Sequence, residues 1–192
     1  PLASLDSDAA VVSRLIDLKK KPVVLGGHSY GGTVITQAGG NDKVKALVYV
    51  AAFALKSGQS LASLLEGKPA APWRAEAVAD NGGYVRLSAK GVSKYFAPDL
   101  PASESALIAA TQGPISYKVN KEAPNVAAWS MRPTYYVVAE NDKIIPPKLQ
   151  AFFAKRMGAQ TTTVSSSHVA MLSQPHTVAR VIKEAVKAVS KK

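Results

Sequence analysis

The chain has 192 residues, with 24 Lys and Arg against 13 Asp and Glu, a formal net charge of +11, 47% hydrophobic and 19% charged residues. One domain's length with that much apolar material excludes a disordered chain. The absence of Cys excludes disulfides, thiol catalysis and Cys-held zinc or iron–sulfur sites, and leaves the redox compartment and the localisation unmarked. No apolar run approaches the roughly 18 residues a membrane-spanning helix needs, and Pro1 to Asp8 carry no signal-peptide pattern. The positive charge is spread thinly, Lys19-Lys20-Lys21 being the only run of three. Without interleaved aromatics it reads as a solvated lysine surface, with no specific nucleic-acid site.

Apolar spacing at Val11, Val12, Leu15 and Leu18 predicts a helix from Asp6 to Lys21, with Asp6 or Ser7 as N-cap. Pro22 ends it. Val23-Val24-Leu25 then runs into Gly26-Gly27 as a short buried strand, and Gly31 to Ala38 is the next helix. Val44 to Phe53 is a second buried strand. Residues 54–128 change texture: prolines, Gly, Ser and Ala clusters and short patterns such as Ser103 to Thr111 predict an inserted, mostly helical lid with loops. Alternation resumes with a strand from Thr134 to Ala139, a helix marked by Leu149, Phe152, Phe153 and Met157, and a strand from Gln160 to Ser165. The last helix begins near Gln174 and places Val178, Val181, Ile182, Ala185, Val186 and Val189 on one stripe. This order predicts an α/β class with a doubly wound, mostly parallel sheet, whose core is split into residues 1–53 and 129–192 by the lid. Ligand sites in such sheets lie at the carboxyl ends of the strands.

Gly27-His28-Ser29-Tyr30-Gly31 is a G-x-S-x-G pattern between an apolar strand and a helix, the context of a nucleophile elbow. The chain reverses sharply at Ser29, and the flanking glycines remove side chains that would clash. The competing reading, a glycine-rich phosphate turn, lacks the Lys-Ser/Thr of a P-loop and the G-x-G-x-x-G spacing. His28 is expected to be a packed histidine, because strand side chains alternate in direction. A serine nucleophile needs a base, and the base needs a carboxylate. Asp142, in a turn after the third strand, and His168, after the fourth, stand at strand ends in the order Ser, Asp, His. Glu140 and His176 are the rivals, the latter inside the first turn of the final helix.

The runs GGHSYGG, LVYVAAF, YYVVAENDK and SHVAMLSQP resemble the α/β-hydrolase superfamily, especially the small lid-bearing branch of plant methylesterases, hydroxynitrile lyases and bacterial relatives. The resemblance spans essentially the whole chain and implies Ser29, Asp142 and His168 as nucleophile, acid and base, with the Tyr30 backbone N–H as one oxyanion donor. Family members carry several strands before the elbow strand, whereas only 28 residues precede Ser29 here. The residues are therefore expected to be a fragment of a longer chain, without the loop that supplies the second oxyanion donor and with the first strand as an apolar open edge.

The expected activity is that of a serine hydrolase cleaving small carboxylic esters through an acyl-enzyme, with no metal and no organic cofactor. Trp73, Tyr84, Tyr117 or Trp129, with Trp129 preferred, would line the substrate pocket. Two alternatives stand beside it. One is a lyase that cleaves a cyanohydrin with the same triad and a lid lysine, Lys118 or Lys121, as the resemblance implies. The other is a non-catalytic ligand-binding or partner-dependent fragment. The sequence leaves the ester's acid and alcohol groups and the oligomeric state open.

Overall fold

The computed structural model describes residues 2–190. Helix α1 (Leu5–Asp17) starts on Ser4, whose side chain accepts a hydrogen bond from the Ser7 N–H, so the cap lies before the expected Asp6 or Ser7. Its inward stripe is Leu5, Ala9, Val12 and Ile16, whereas Leu15 and Leu18 are exposed. The predicted face is therefore turned: the i, i+4, i+7, i+11 series that begins at Leu5 meets the core. Strand β1 (Val23–Ser29) leads directly into α2 (Gly31–Ala38), and β2 (Val44–Ala52) returns beside β1.

After residues 54–128 come β6 (Thr134–Ala139), α6 (Pro147–Met157), β7 (Gln160–Val164), α7 (Ala170–Ser173) and α8 (Pro175–Ser190). The four long strands form one parallel sheet in the order β1-β2-β6-β7, with β1 at an edge among the described residues. Strand alternation sends Leu47, Tyr49, Tyr136 and Val138 toward α1, α2 and α6, and Ala46, Val48, Val50, Tyr135 and Val137 toward α8. Both faces are covered, which is why these strands read as continuous apolar runs. On α8 the buried stripe is narrower than predicted, since Val178, Val181 and Ala185 are inside while Ile182 and Val186 remain exposed.

Residues 54–128 hold the expected short helices α3 (Leu61–Leu65), α4 (Ala89–Gly91) and α5 (Ala102–Thr111). A π-helical turn over Val92–Phe96 follows α4. The segment also contains a small antiparallel sheet, β3 (Ala77–Ala79), β4 (Tyr84–Leu87) and β5 (Ile115–Ser116), that the mostly helical expectation missed. These strands are only two to four residues long, too short to show an alternating pattern. Among the described residues no helix is long and apolar enough to cross a membrane.

Candidate active site

All three predicted catalytic residues follow or end strands at the carboxyl edge of the main sheet: Ser29 ends β1, Asp142 follows β6 and His168 follows β7. Ser29 has φ of +54°, a left-handed conformation unusual for a residue with a side chain. Of the two flanking glycines only Gly27 is required by contact: a Cβ on Gly31 would meet nothing within 4 Å, so the clash expected there is not found, and Gly32 is the second position that closes on its neighbours. A Cβ on Gly27 would lie 2.5 Å from the Gly31 carbonyl oxygen, and one on Gly32 would collide with the Phe53 carbonyl and come within 2.8 Å of the Ala52 Cβ. Tyr30 opens α2, and its hydroxyl donates to Asp8 Oδ2 at 3.0 Å, so α1 fixes the residue after the serine. Burial and the Asp8 carboxylate both raise the Tyr30 phenol pKa.

His168 Nδ1 lies 2.7 Å from Asp142 Oδ2, and both side chains are fully buried. Asp142 Oδ1 accepts the N–H groups of Ile144 at 2.7 Å and Ile145 at 3.0 Å, and Oδ2 also accepts from Gln150 Nε2 at 2.8 Å. A carboxylate accepting on both oxygens makes His168 Nδ1 the donor, which leaves Nε2 as the acceptor. That Nε2 is buried and has no hydrogen-bond partner. The rival Glu140 is exposed, as is His176 in the first turn of α8.

Three further groups that sequence reasoning did not assign to the site stand against His168 or the residue before it. His28, expected only to pack, donates from Nε2 to the His168 carbonyl at 2.7 Å, and the two rings are 4.6 Å apart. Burial first, and then the nearby His168, lower the His28 pKa to about 3, against the opposing bond to the His168 carbonyl. Phe96, from the π-helical turn, stands edge-on to His168 at 5.0 Å and to His28 at 6.3 Å. Asp99 accepts the Ser167 N–H at 2.8 Å and the Ser167 hydroxyl, fastening its own segment to the histidine loop. Its partial burial works to raise its pKa, but the hydrogen bonds from Ser167 and Ser173 outweigh that and hold it below the usual carboxylate range.

Gln150 was also missed. Fully buried on α6, it accepts the Ala139 N–H at 3.0 Å through Oε1 and donates from Nε2 to Asp142 and to the Ile145 carbonyl, the latter at 2.8 Å. An amide on the buried helix face, between Leu149 and Phe153, was the available signal. Phe96 and Asp99 offered none, because only the fold brings their segment to the histidine.

The aromatic expectations fare differently. Trp129 donates to the Leu55 carbonyl at 2.8 Å, lies under the Arg156 guanidinium at 5.5 Å and packs against the core on the α2 face. These contacts give it a packing role and do not bring it together with Asp142 and His168. Trp73 donates to the Ile144 carbonyl at 3.1 Å, bracing the turn that holds Asp142. Tyr117 is half exposed and Tyr84 partly buried on β4. Lys118 and Lys121 are exposed. Among the described residues no three His, Asp or Glu side chains converge as a metal ion would require.

Comparison with known proteins agrees with this architecture. Residues 1–181 match the model of the alpha/beta hydrolase family. The alpha/beta hydrolase nvfD of Aspergillus novofumigatus (strain IBT 16806) is 30% identical over 177 residues, which cover 85% of this chain and 69% of that protein. Among solved structures, a pyrethroid hydrolase from Sphingobium faniae JZ-2 is similar with a TM-score of 0.80 at 19% identity, over 98% of this chain and 80% of that one. Polyneuridine aldehyde esterase gives 0.78 at 18% identity, over 92% and 77%. The methylesterase MES16 from Arabidopsis gives 0.77 at 18%, over 98% and 79%. The structural likenesses speak for the fold, and the family model together with the fungal relative establishes that this chain belongs to the alpha/beta hydrolase family.

Proposed function

We propose that the protein is a serine hydrolase of small carboxylic esters. In this reading His168 Nε2 takes the proton of the Ser29 hydroxyl as Ser29 attacks the ester carbonyl, and Asp142 stabilises the imidazolium that forms. The Tyr30 N–H, at the positive end of α2, donates to the oxyanion. Collapse of the tetrahedral intermediate releases the alcohol with the proton held by His168 and leaves an acyl-Ser29. Water, deprotonated by the same imidazole, then frees the acid.

The observation that carries this reading is the buried His168, whose Nδ1 is occupied by Asp142 while Nε2 has no partner. A packed core histidine satisfies both nitrogens, since an orphaned polar atom costs stability. The left-handed Ser29, which ends β1 at the same carboxyl edge of the sheet, supports the same reading. Residues 54–128 serve as the lid, with Phe96 as its contribution beside the imidazole. Similarity to proteins named as esterase, pyrethroid hydrolase and methylesterase is consistent with an ester as substrate.

The test is p-nitrophenyl acetate turnover by the full chain with and without Ser29→Ala. Turnover is expected to vanish with an unchanged circular dichroism spectrum, and the unsubstituted protein is expected to gain an acetyl mass on Ser29 when quenched early. Retained turnover in the variant would overturn the assignment. Turnover of a cyanohydrin without any acyl-enzyme would replace the reaction with carbon–carbon cleavage.

A further inference from the structure

Beside the elbow lies a second left-handed residue, Ala51, with φ of +43° near the end of β2. The register between β1 and β2 slips at the same place: His28 faces Val50, whereas Ser29 faces Ala52, so Ala51 is the extra residue of a bulge. Beyond it the Phe53 N–H donates to the Ser29 carbonyl at 3.0 Å. The Ala52 Cβ and the Phe53 carbonyl form the wall against which Gly32 seats the start of α2. The bulge thus touches the elbow on both sides of the reversal.

A non-glycine residue in this conformation persists only where its surroundings hold it. The hydroxyl of Tyr136 does so from the next strand. Tyr136 is fully buried in β6, and its Oη accepts the Ala52 N–H at 3.0 Å while donating to the Ala52 carbonyl. One hydroxyl therefore satisfies both backbone groups of the residue that follows Ala51. The ring is kept in place by near-parallel packing on Tyr49, 6.0 Å away with 6° between planes. Burial raises the Tyr136 pKa far above any working pH, so the donor proton is always present.

We propose that Tyr136 is a positioning residue for the nucleophile, holding the Ala51–Phe53 bulge that in turn fixes the Ser29 backbone. The proposal rests on Ser29 being the nucleophile and adds a residue two strands away to the elbow's support.

The experiment compares the parent, Tyr136→Phe, Ala51→Gly and the double variant, with p-nitrophenyl acetate kinetics, the rate of covalent labelling by a fluorophosphonate and the thermal midpoint. Thr134→Val, a buried hydroxyl removed from the far end of the same strand, is the control. Tyr136→Phe is expected to lower kcat and the labelling rate together by about 10- to 100-fold, the scale of a small misplacement of a reacting group, with KM changed less than about 3-fold. The pH profile stays where it was, because His168 and Asp142 are untouched. Ala51→Gly is expected to restore most of the loss, since glycine adopts left-handed backbone unaided. If Tyr136→Phe alone does not fold, a folded and active double variant carries the same conclusion.

The proposal is overturned by a kcat within about 2-fold of the parent, by a loss that Ala51→Gly fails to relieve, or by an equal loss in Thr134→Val. Failure of the nucleophile assignment is read separately: the fluorophosphonate would then leave Ser29 unlabelled in the parent itself.

Discussion

His28 offers a test of the site's electrostatics that needs no substrate. An unfolded chain protonates this histidine near its ordinary value of 6.5, but in the fold burial, and then His168, depress it to about 3. Between these values the unfolded state binds one more proton than the native state, so stability is lost as the pH falls from about 6.5 toward about 3. A gap of about 3.5 in pKa corresponds to about 5 kcal/mol at about 1.4 kcal/mol per unit, and about 3 kcal/mol of it is gone by about pH 4.5. His28→Gln keeps a side-chain N–H for the His168 carbonyl and removes the titration. Urea midpoints of the two proteins are expected to agree at about pH 7.5 to within about 1 kcal/mol, and the parent is expected to lose about 3 kcal/mol more than the variant on going to about pH 4.5. Parallel pH dependences would refute the claim that His28 is held neutral against the candidate base.

Gln150→Leu removes donors from Asp142 and the Ile145 carbonyl and orphans the Ala139 N–H. At about 1–3 kcal/mol for each buried group left unpaired, the denaturation midpoint is expected to drop by the equivalent of about 3 kcal/mol or more, with kcat/KM falling about 10-fold in an ester assay. Asp99 also makes an acid-sensitive contact, accepting the Ser167 N–H and hydroxyl as a carboxylate. Its carboxyl is held below the ordinary range, so the stability it contributes is complete above about pH 4 and disappears as the pH falls through its lowered folded value. Asp99→Asn is expected to be less stable than the parent at neutral pH, with the difference closing in acid, as measured by urea midpoints along a pH series.

The parts of this fold that sequence made legible are those in which local and global preferences coincide. Val44 to Ala52 is apolar because both sheet faces are covered, and Gly27 stands where the Gly31 carbonyl leaves no space for a Cβ. Asp142 and His168 could be located because strand ends are readable and the triad order restricts the choice. What sequence did not carry is which distant segment braces a given loop. Phe96 and Asp99 sit in a proline-interrupted stretch whose π-helical turn has no periodic signature, and their importance comes only from contacts across about 70 residues of chain. Trp129 shows the same gap, since an aromatic near a strand start looks the same in sequence whatever it meets, here the Leu55 carbonyl and Arg156.

The candidate site concentrates its strain in two backbone positions and surrounds both with buried hydrogen bonds from rigid elements. Ser29 and Ala51 are left-handed neighbours on adjacent parallel strands, and each non-glycine residue in such a region costs on the order of 1–3 kcal/mol. Replacing Ala51 by glycine would relieve that cost locally, while the Phe53 N–H to the Ser29 carbonyl and the Tyr136 hydroxyl to Ala52 still hold the bulge. A more flexible bulge broadens the positions available to the serine hydroxyl, whereas Tyr136, anchored at the centre of the sheet, narrows them. In the parent background, then, Ala51→Gly should raise the thermal midpoint without raising kcat. An increase in kcat would mean that the bulge limits the nucleophile's motion rather than setting its geometry.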